Sequence, residues 1–306
     1  MKYEFYTADV FTDRAFGGNP LAVFPRAEGL SGEVMQKIAR EFNLSETVFV
    51  LPPEKKEHTR RLRIFTPQRE LIFAGHPTVG TAFVLAASGD IDLGAGGRTH
   101  IVFEEGVGPI PVEIRSQGGK PTFCTLTTAV LPEVGPAPPP SEMLAAMLSV
   151  DPQEIKEDAD DEPQAISCGL PFLFIPLRRL DAVRRARLNW EWWEQCLASF
   201  WSPHPYVFSY ETENDDAQIH ARMFGAAVGI EEDPATGSAA SALAGYLGLR
   251  DPMRDGTLRW TIEQGIEMGR PSRIELECDK EAGKIVAVRV GGGAVMMSKG
   301  EMDIPG

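Results

Sequence analysis

Cysteine, histidine and basic charge are all scarce in this chain, and each shortage narrows what the protein can be. The four cysteines, Cys124, Cys168, Cys196 and Cys278, stand far apart without a CxxC pair. That spacing argues against a zinc site or a disulfide framework and leaves reduced, structural thiols. Lysine and arginine number 30 against 44 aspartate and glutamate, a formal charge of -14, so nucleic acid and anionic membranes are repelled on average. The one basic cluster, "RRLDAVRRAR" at 178–187, reads as the solvated face of a helix. Nothing approaches the roughly 18 consecutive apolar residues of a membrane-spanning helix. The first residues, "MKYEFYTADVFTDRAF", alternate and carry charge, unlike a signal peptide. These absences lead to the expectation of a cytoplasmic protein that binds neither nucleic acid nor membrane.

What is present is a well-stocked globular chain: 306 residues with 43% hydrophobic content, enough for two domains of ordinary size. "MKYEFYTADVF" and "LAVFPRA" read as strands about the turn "GGNP", and "SGEVMQKIAREFN" has helical spacing behind a serine cap. "ETVFVLPP", "RLRIFTP", "RTHIVFEE", "GPIPVEIRS" and "PTFCTLTTAV" read as further strands, interrupted by "FAGHPTVGTAFVLAASG" as a single apolar helix. A proline-rich connector, "LPEVGPAPPPS" at 131–141, leads to a helix expected to be capped by Ser141. After it the recipe repeats, with strands in "FLFIPL", "YVFSYE" and "AQIHARMF", the apolar helix "EDPATGSAASALAGYLG", and strands again to "AVMMSKGEM".

The repeat holds residue by residue. "HPTVGTA" from His76 aligns with "DPATGSA" from Asp233 without a gap, and "RIF" (63–65) and "RMF" (222–224) precede them. Proline is tolerated at the first helical position, which places His76 and Asp233 at the N-caps. Aspartate is a favoured cap and histidine is not, so His76 calls for another reason. A buried helix with an open start presents N–H donors and partial positive charge, a ready site for a carboxylate. Two such starts could share one cleft, with Gly75, Gly80 and Gly237 letting a ligand approach the backbone. A helix start lowers the pKa of His76, whereas a shielded carboxylate moves into the range suited to acid–base work. Glu46, in "NLSETVFV" ahead of an apolar run, is the candidate.

Five ordered blocks resemble the PhzF family, phenazine-biosynthesis-like proteins with the diaminopimelate epimerase fold: "FGGNPLAVF", "NLSETVFV", "RIFTPQRELIFAGHPTVGTA", "GIEEDPATGSAASALAGYL" and "EQGIEMGRPSRIELE". The resemblance implies an α+β fold of two pseudo-symmetric domains, 1–118 with 287–306 and 119–286. Each would be a curved, mostly antiparallel sheet wrapped round a central helix, with the active site between them, in a homodimer. It implies an isomerase without cofactor or metal, in which Glu46 moves a proton on a cyclic amino carboxylate while His76 and Asp233 orient the substrate or assist. Gly75, Gly237 and Ser238 match substrate contacts, and Asn19 of "GGNP" does so more weakly. Relatives of the fold that use paired thiols carry a cysteine at each helix start. Here those positions read "AGHP" and "EEDP", which disfavours a two-thiol racemase. The alternatives are a non-catalytic carboxylate-binding protein and an epimerase that works without a cysteine pair. Two departures from the family pattern are Ile72 and Gly225, where proline is common. "EMGRPS" matches without suggesting a role.

Overall fold

The computed structural model describes residues 1–158 and 161–304. The chain opens with β1 (Lys2–Val10), β2 (Asn19–Phe24), α1 (Gly32–Phe42), β3 (Glu46–Leu51), β4 (Arg60–Phe65) and β5 (Glu70–Leu71). The first apolar helix, α2 (Gly75–Ser88), leads to β6 (Arg98–Glu105), β7 (Gly108–Gln117) and β8 (Lys120–Thr127). The second stretch comprises β9 (Glu133–Val134), α3 (Ser141–Leu148), β10 (Gln164–Ser167), β11 (Pro171–Pro176), α4 (Leu180–Arg185), α5 (Trp190–Cys196), β12 (Pro205–Ser209) and β13 (Ile219–Met223). It continues through α6 (Gly237–Arg250), β14 (Gly256–Gln264), β15 (Ser272–Glu281) and β16 (Lys284–Gly292) to β17 (Ala294–Asp303).

Two compact units result, Met1–Ala129 with Val290–Gly306, and Val130–Arg289. The expected division at 118/119 falls just ahead of β8, which stays in the first unit because it pairs antiparallel with β7 and packs on α2. Within each unit the ladders follow one sequence. In the first, β1–β2 is antiparallel, β2–β3 parallel, β3–β4 antiparallel, β4–β6 parallel and β6–β7 antiparallel. In the second, β10–β11, β11–β12, β12–β13, β13–β14 and β14–β15 repeat that alternation in order. The internal match of the helix segments is therefore a match of whole topologies, and each sheet is mostly antiparallel.

Each sheet surrounds its own apolar helix. Twelve successive residues of α2, Gly75 to Ala86, are buried, as are twelve of α6, Gly237 to Gly248. A helix that is apolar on every face must be enclosed, and α2 packs on β1, β2, β3, β7 and β8 while α6 packs on β10, β11, β14 and β15. The aromatic side of the first unit stacks Phe24 on Phe49, ring centroids 5.1 Å apart, with Phe65 edge-on at 5.5 Å. Helix α1 covers this side, capped by Ser31, which accepts from Val34 N, and ended by Asn43 in the left-handed conformation.

Two local expectations are corrected, and one helix is added. Ser141 is the first residue of α3, not its cap; its hydroxyl bonds to Glu157 instead. Helix α5 is not visible in the apolar pattern because none of its residues is buried. Gly80 serves packing and not ligand approach: a Cβ there would lie 2.5 Å from Val10 Cγ2 and 2.6 Å from Leu21 Cδ2. Gly80→Ala is accordingly expected to lower the unfolding free energy by about 1–3 kcal/mol, since overpacking a close helix-to-sheet contact displaces both elements. Urea unfolding of wild type and variant checks this, and an unchanged midpoint would contradict it.

Candidate active site

In the first unit, Glu46 begins β3 opposite Leu21 of the parallel β2 ladder, and His76 is the second residue of α2. The fold brings them together: His76 Nε2 lies 3.2 Å from Glu46 Oε2. Their side chains are 4% and 15% exposed respectively, so Glu46 is the member of the couple that a small molecule reaches first. Burial pushes the His76 pKa down to about 3, and the ring is neutral at any physiological pH. The couple is therefore a neutral imidazole beside a carboxyl group and not a pair of opposite charges.

Neither expected N-cap is one. The cap of α2 is Ala74, extended and without a side-chain hydrogen bond, so Gly75 opens the helix and His76 and Pro77 complete its first turn. Proline is accommodated throughout that turn because its N–H would have no intrahelical acceptor there. In the second unit α6 begins later, at Gly237, with Thr236 as cap. Asp233 is held off the helix. Its N–H bonds to Met223 O at 3.0 Å and its carbonyl accepts from Gln264 Nε2 at 2.8 Å. Its carboxylate Oδ2 accepts from the Thr236 hydroxyl at 2.6 Å.

The remaining expected residues fall beside these two clusters. Gly75 and Gly237 are the first residues of α2 and α6, and Ser238 follows Gly237 in the first turn. Asn19, the first residue of β2, is fully buried and pairs with Val10 of β1. None of the thiols lies in either helix-start motif, and Cys168 Sγ donates to Ser241 O, one turn into α6, at 3.5 Å. All four are free, and burial raises the pKa of each. Among the described residues no group of three or more His, Cys, Asp or Glu is arranged to hold a metal ion, and no helix is long and apolar enough to cross a membrane.

"EMGRPS" acquires a structural task. Ser272 Oγ donates to Pro234 O at 2.7 Å, and Gly265, at φ 74°, leaves no room for a Cβ against Pro234 O. The turn after it is fastened by Glu267, whose carboxylate lies 2.9 Å from Nε2 of the fully buried His220; Nδ1 of the same ring lies 2.7 Å from Glu263. Burial alone would depress the His220 pKa, but the two carboxylates outweigh it and raise it to about 9. Native protein thus holds this proton more tightly than the unfolded chain, and the associated stability, complete below pH about 6.5, is lost as pH rises to about 9. His220→Gln should remove this alkaline loss of stability; thermal unfolding from pH 6 to 9 that falls equally in both proteins would refute the assignment. Gln264, Thr236 and His220 were missed in the sequence, although Gln264 and Thr236 lie inside quoted motifs, because a hydrogen-bonding role has no spacing signature.

The basic segment 178–187 is a solvated helix face: Arg178, Arg179, Arg184 and Arg185 pair with Asp158, Glu154, Glu213 and Asp181. Of the two departures from the family pattern, Ile72 is 55% exposed, and Gly225 makes room for Ile230, whose Cγ1 would lie 2.3 Å from a Cβ there.

Two units built by one α+β recipe, each a mostly antiparallel sheet round a buried helix, define a protein of the epimerase-like class. The chain belongs to the PhzC-PhzF family, phenazine biosynthesis-like proteins, whose model matches residues 8–300, and it is an isomerase by class. It is 42% identical over 299 residues to an uncharacterized isomerase of Mesorhizobium japonicum, covering 97% of each chain. It is 33% identical over 301 residues to the trans-2,3-dihydro-3-hydroxyanthranilate isomerase of Pseudomonas aeruginosa, covering 97% of this chain and 98% of that one. Among solved structures, the phenazine biosynthesis protein of the PhzF family from Bacillus anthracis superimposes with a TM-score of 0.88 at 26% identity, over 99% of this chain and all of that one. A hydroxyproline epimerase from Agrobacterium vitis, at 12% identity and a TM-score of 0.62, shares the fold.

Proposed function

We propose that this isomerase shifts a proton on a small cyclic or unsaturated amino carboxylate, with Glu46 as the acid–base group. The observation that carries the reading is the Glu46–His76 couple at 3.2 Å, placed at a helix start that lacks a side-chain cap, with the carboxyl the more exposed partner. Glu46 takes a proton from one carbon, the C–H electron pair forms a double bond to the neighbouring carbon, the old π pair shifts to the far carbon, and that carbon takes a proton from the Glu46 carboxyl, which exchanges with solvent before delivering it. Atoms and electrons balance within substrate and glutamate, so the step calls for no cofactor. A neutral His76 puts no lone charge into the buried site beside Glu46 and serves to orient that carboxyl and the substrate. Asp233 assists, Gly75, Gly237 and Ser238 contact the substrate, and Asn19 is a further contact. The substrate class is supported by the name of the Pseudomonas aeruginosa relative. The same reading extends to a homodimer in the cytoplasm.

The test is proton NMR of the protein in D2O with a panel of small cyclic and unsaturated amino carboxylates, a dihydro-hydroxyanthranilate among them. Deuterium entering a new carbon with the double bond displaced is the expected result. Inversion at an unmoved carbon would replace the reading by an epimerase, and binding shifts without exchange across the panel would replace it by a carboxylate-binding protein.

A further inference from the structure

In α2 the hydroxyl of Thr78 lies 2.7 Å from Ala74 O and 2.6 Å from Glu105 Oε1, the last residue of β6. A hydroxyl carries one proton, yet both separations are those of a short hydrogen bond. If Thr78 donates to the carbonyl four residues back, as helical threonine does, the second proton must belong to Glu105. The other carboxyl oxygen, Oε2, is buried and finds no donor among the described residues, an arrangement costly for a carboxylate and tolerable for an acid.

The second unit shows the same device in a form that needs no protonation. The β4–β6 ladder pairs Arg61 with Glu104, and the β13–β14 ladder pairs His220 with Glu263, so the next residues, Glu105 and Gln264, occupy matching positions. Glu104 and Glu263 act alike too, each accepting two successive backbone N–H groups and touching a histidine. Gln264 Nε2 donates to the Thr236 hydroxyl at 3.0 Å, and Thr236 donates onward to Asp233. In the second unit a buried donor thus feeds a threonine at the start of the apolar helix and the threonine feeds an acceptor, and the first unit sets a buried carboxyl against its own threonine. Gln264 is always a donor; Glu105 is one only when protonated.

We propose that Glu105 works as a neutral carboxylic acid, a positioning residue that donates to Thr78 and so fixes the first turn of α2 with Gly75 and His76. Its effect on turnover rests on the reading of His76 given above; its protonation does not. Burial drives its pKa up to about 8, against a lowering by the Thr78 hydrogen bond, and no neighbouring charge contributes. The ionisable groups that share with it a cavity of about 590 Å³ are Arg61 and Glu54, Arg63 and Glu70, His58 and Glu104, each pair in contact, and Lys55. From α2 it faces Thr78. A folded pKa above the unfolded 4.5 means that native protein binds the extra proton, so stability falls as pH rises from about 4.5 and levels off past about 8.

The experiment compares wild type with Glu105→Gln, which keeps a donor for Thr78 and cannot ionise. Urea midpoints are read from pH 5 to 9, alongside the infrared carbonyl band of protonated carboxylic acid in both proteins. The midpoint of wild type should fall relative to the variant up to about pH 8, and a protonated-acid band present at pH 6 should vanish by pH 9 in wild type and be missing in the variant. His220 titrates equally in both proteins and cancels. Parallel midpoint curves would overturn the proposal, as would identical infrared spectra; the infrared change in wild type decides alone if the variant does not fold. With a substrate in hand, the turnover of Glu105→Gln should keep its neutral-pH value and lose the decline near pH 8. Diverging stability curves with coincident turnover profiles would uphold the neutral acid and place the fault in the reading of His76.

Discussion

Glu46→Gln is expected to reduce turnover of an identified substrate about 10²- to 10⁴-fold, the range that a positioned acid–base group contributes. The side chain keeps its length and its neutral amide can still bind, so the loss falls on kcat and leaves binding shifts of the ligand in place. Deuterium incorporation should vanish with it, because among the described residues no other carboxyl pairs with His76. Backbone pairing of residue 46 with Leu21 in the parallel ladder does not involve the side chain, and the melting temperature should stay within a few degrees of wild type. Full turnover by Glu46→Gln, with the fold intact, would remove Glu46 from the chemistry and leave the couple as a structural contact.

The largest expected loss of stability is at Arg222. The residue is 3% exposed, and its guanidinium grips Glu232 through Nε at 2.8 Å and Nη2 at 2.7 Å. Nη1 donates to the carbonyls of Val183, Arg184 and Ala186, closing the end of α4. Arg222→Met fills much of the volume but strands the mostly buried carboxylate of Glu232, while the three carbonyls keep bonds from Arg187 Nη1 and Ala186 N, so about 3–5 kcal/mol should be lost. Set against a total of roughly 5–15 kcal/mol for a domain, that leaves the second unit marginal. Arg222→Lys should recover little, since an ammonium cannot match the two-pronged grip. By contrast the exposed Lys2–Glu301 pair, with side chains 64% and 61% accessible, should contribute about 0–1 kcal/mol. Calorimetry of the variants decides it, and an Arg222→Met protein as stable as Lys2→Met would contradict the argument. Because Glu232 directly precedes Asp233, the loss should also loosen the segment that carries Asp233.

Much of this was legible in the residues because it depends on local chemistry. The all-round apolar runs at 75–86 and 237–248 demanded enclosure wherever they lay, and the small residues that match between them marked a duplicated unit. The serine ahead of "GEVMQKIAREF" and the asparagine behind it bounded α1 by their own hydrogen bonds and backbone preference. Where the reading failed, a distant partner had decided the outcome. Proline after His76 and Asp233 is compatible with any position of a helical first turn, and only the grip of Met223 and Gln264 on Asp233 delays α6 to Gly237. Gly80 looked like space for a ligand until Val10 and Leu21 filled it.

By itself the sequence determined the α+β class, the duplication, the two buried helices and the family motifs, because periodicity, turn residues and composition act over a few neighbours. Only the tertiary structure decided that Glu46 meets His76, that burial is what keeps that ring neutral, and that Glu105 and Gln264 stand at matching registers. Those facts depend on strand pairing across tens of residues and on exclusion of water, and neither is written in any short stretch of chain.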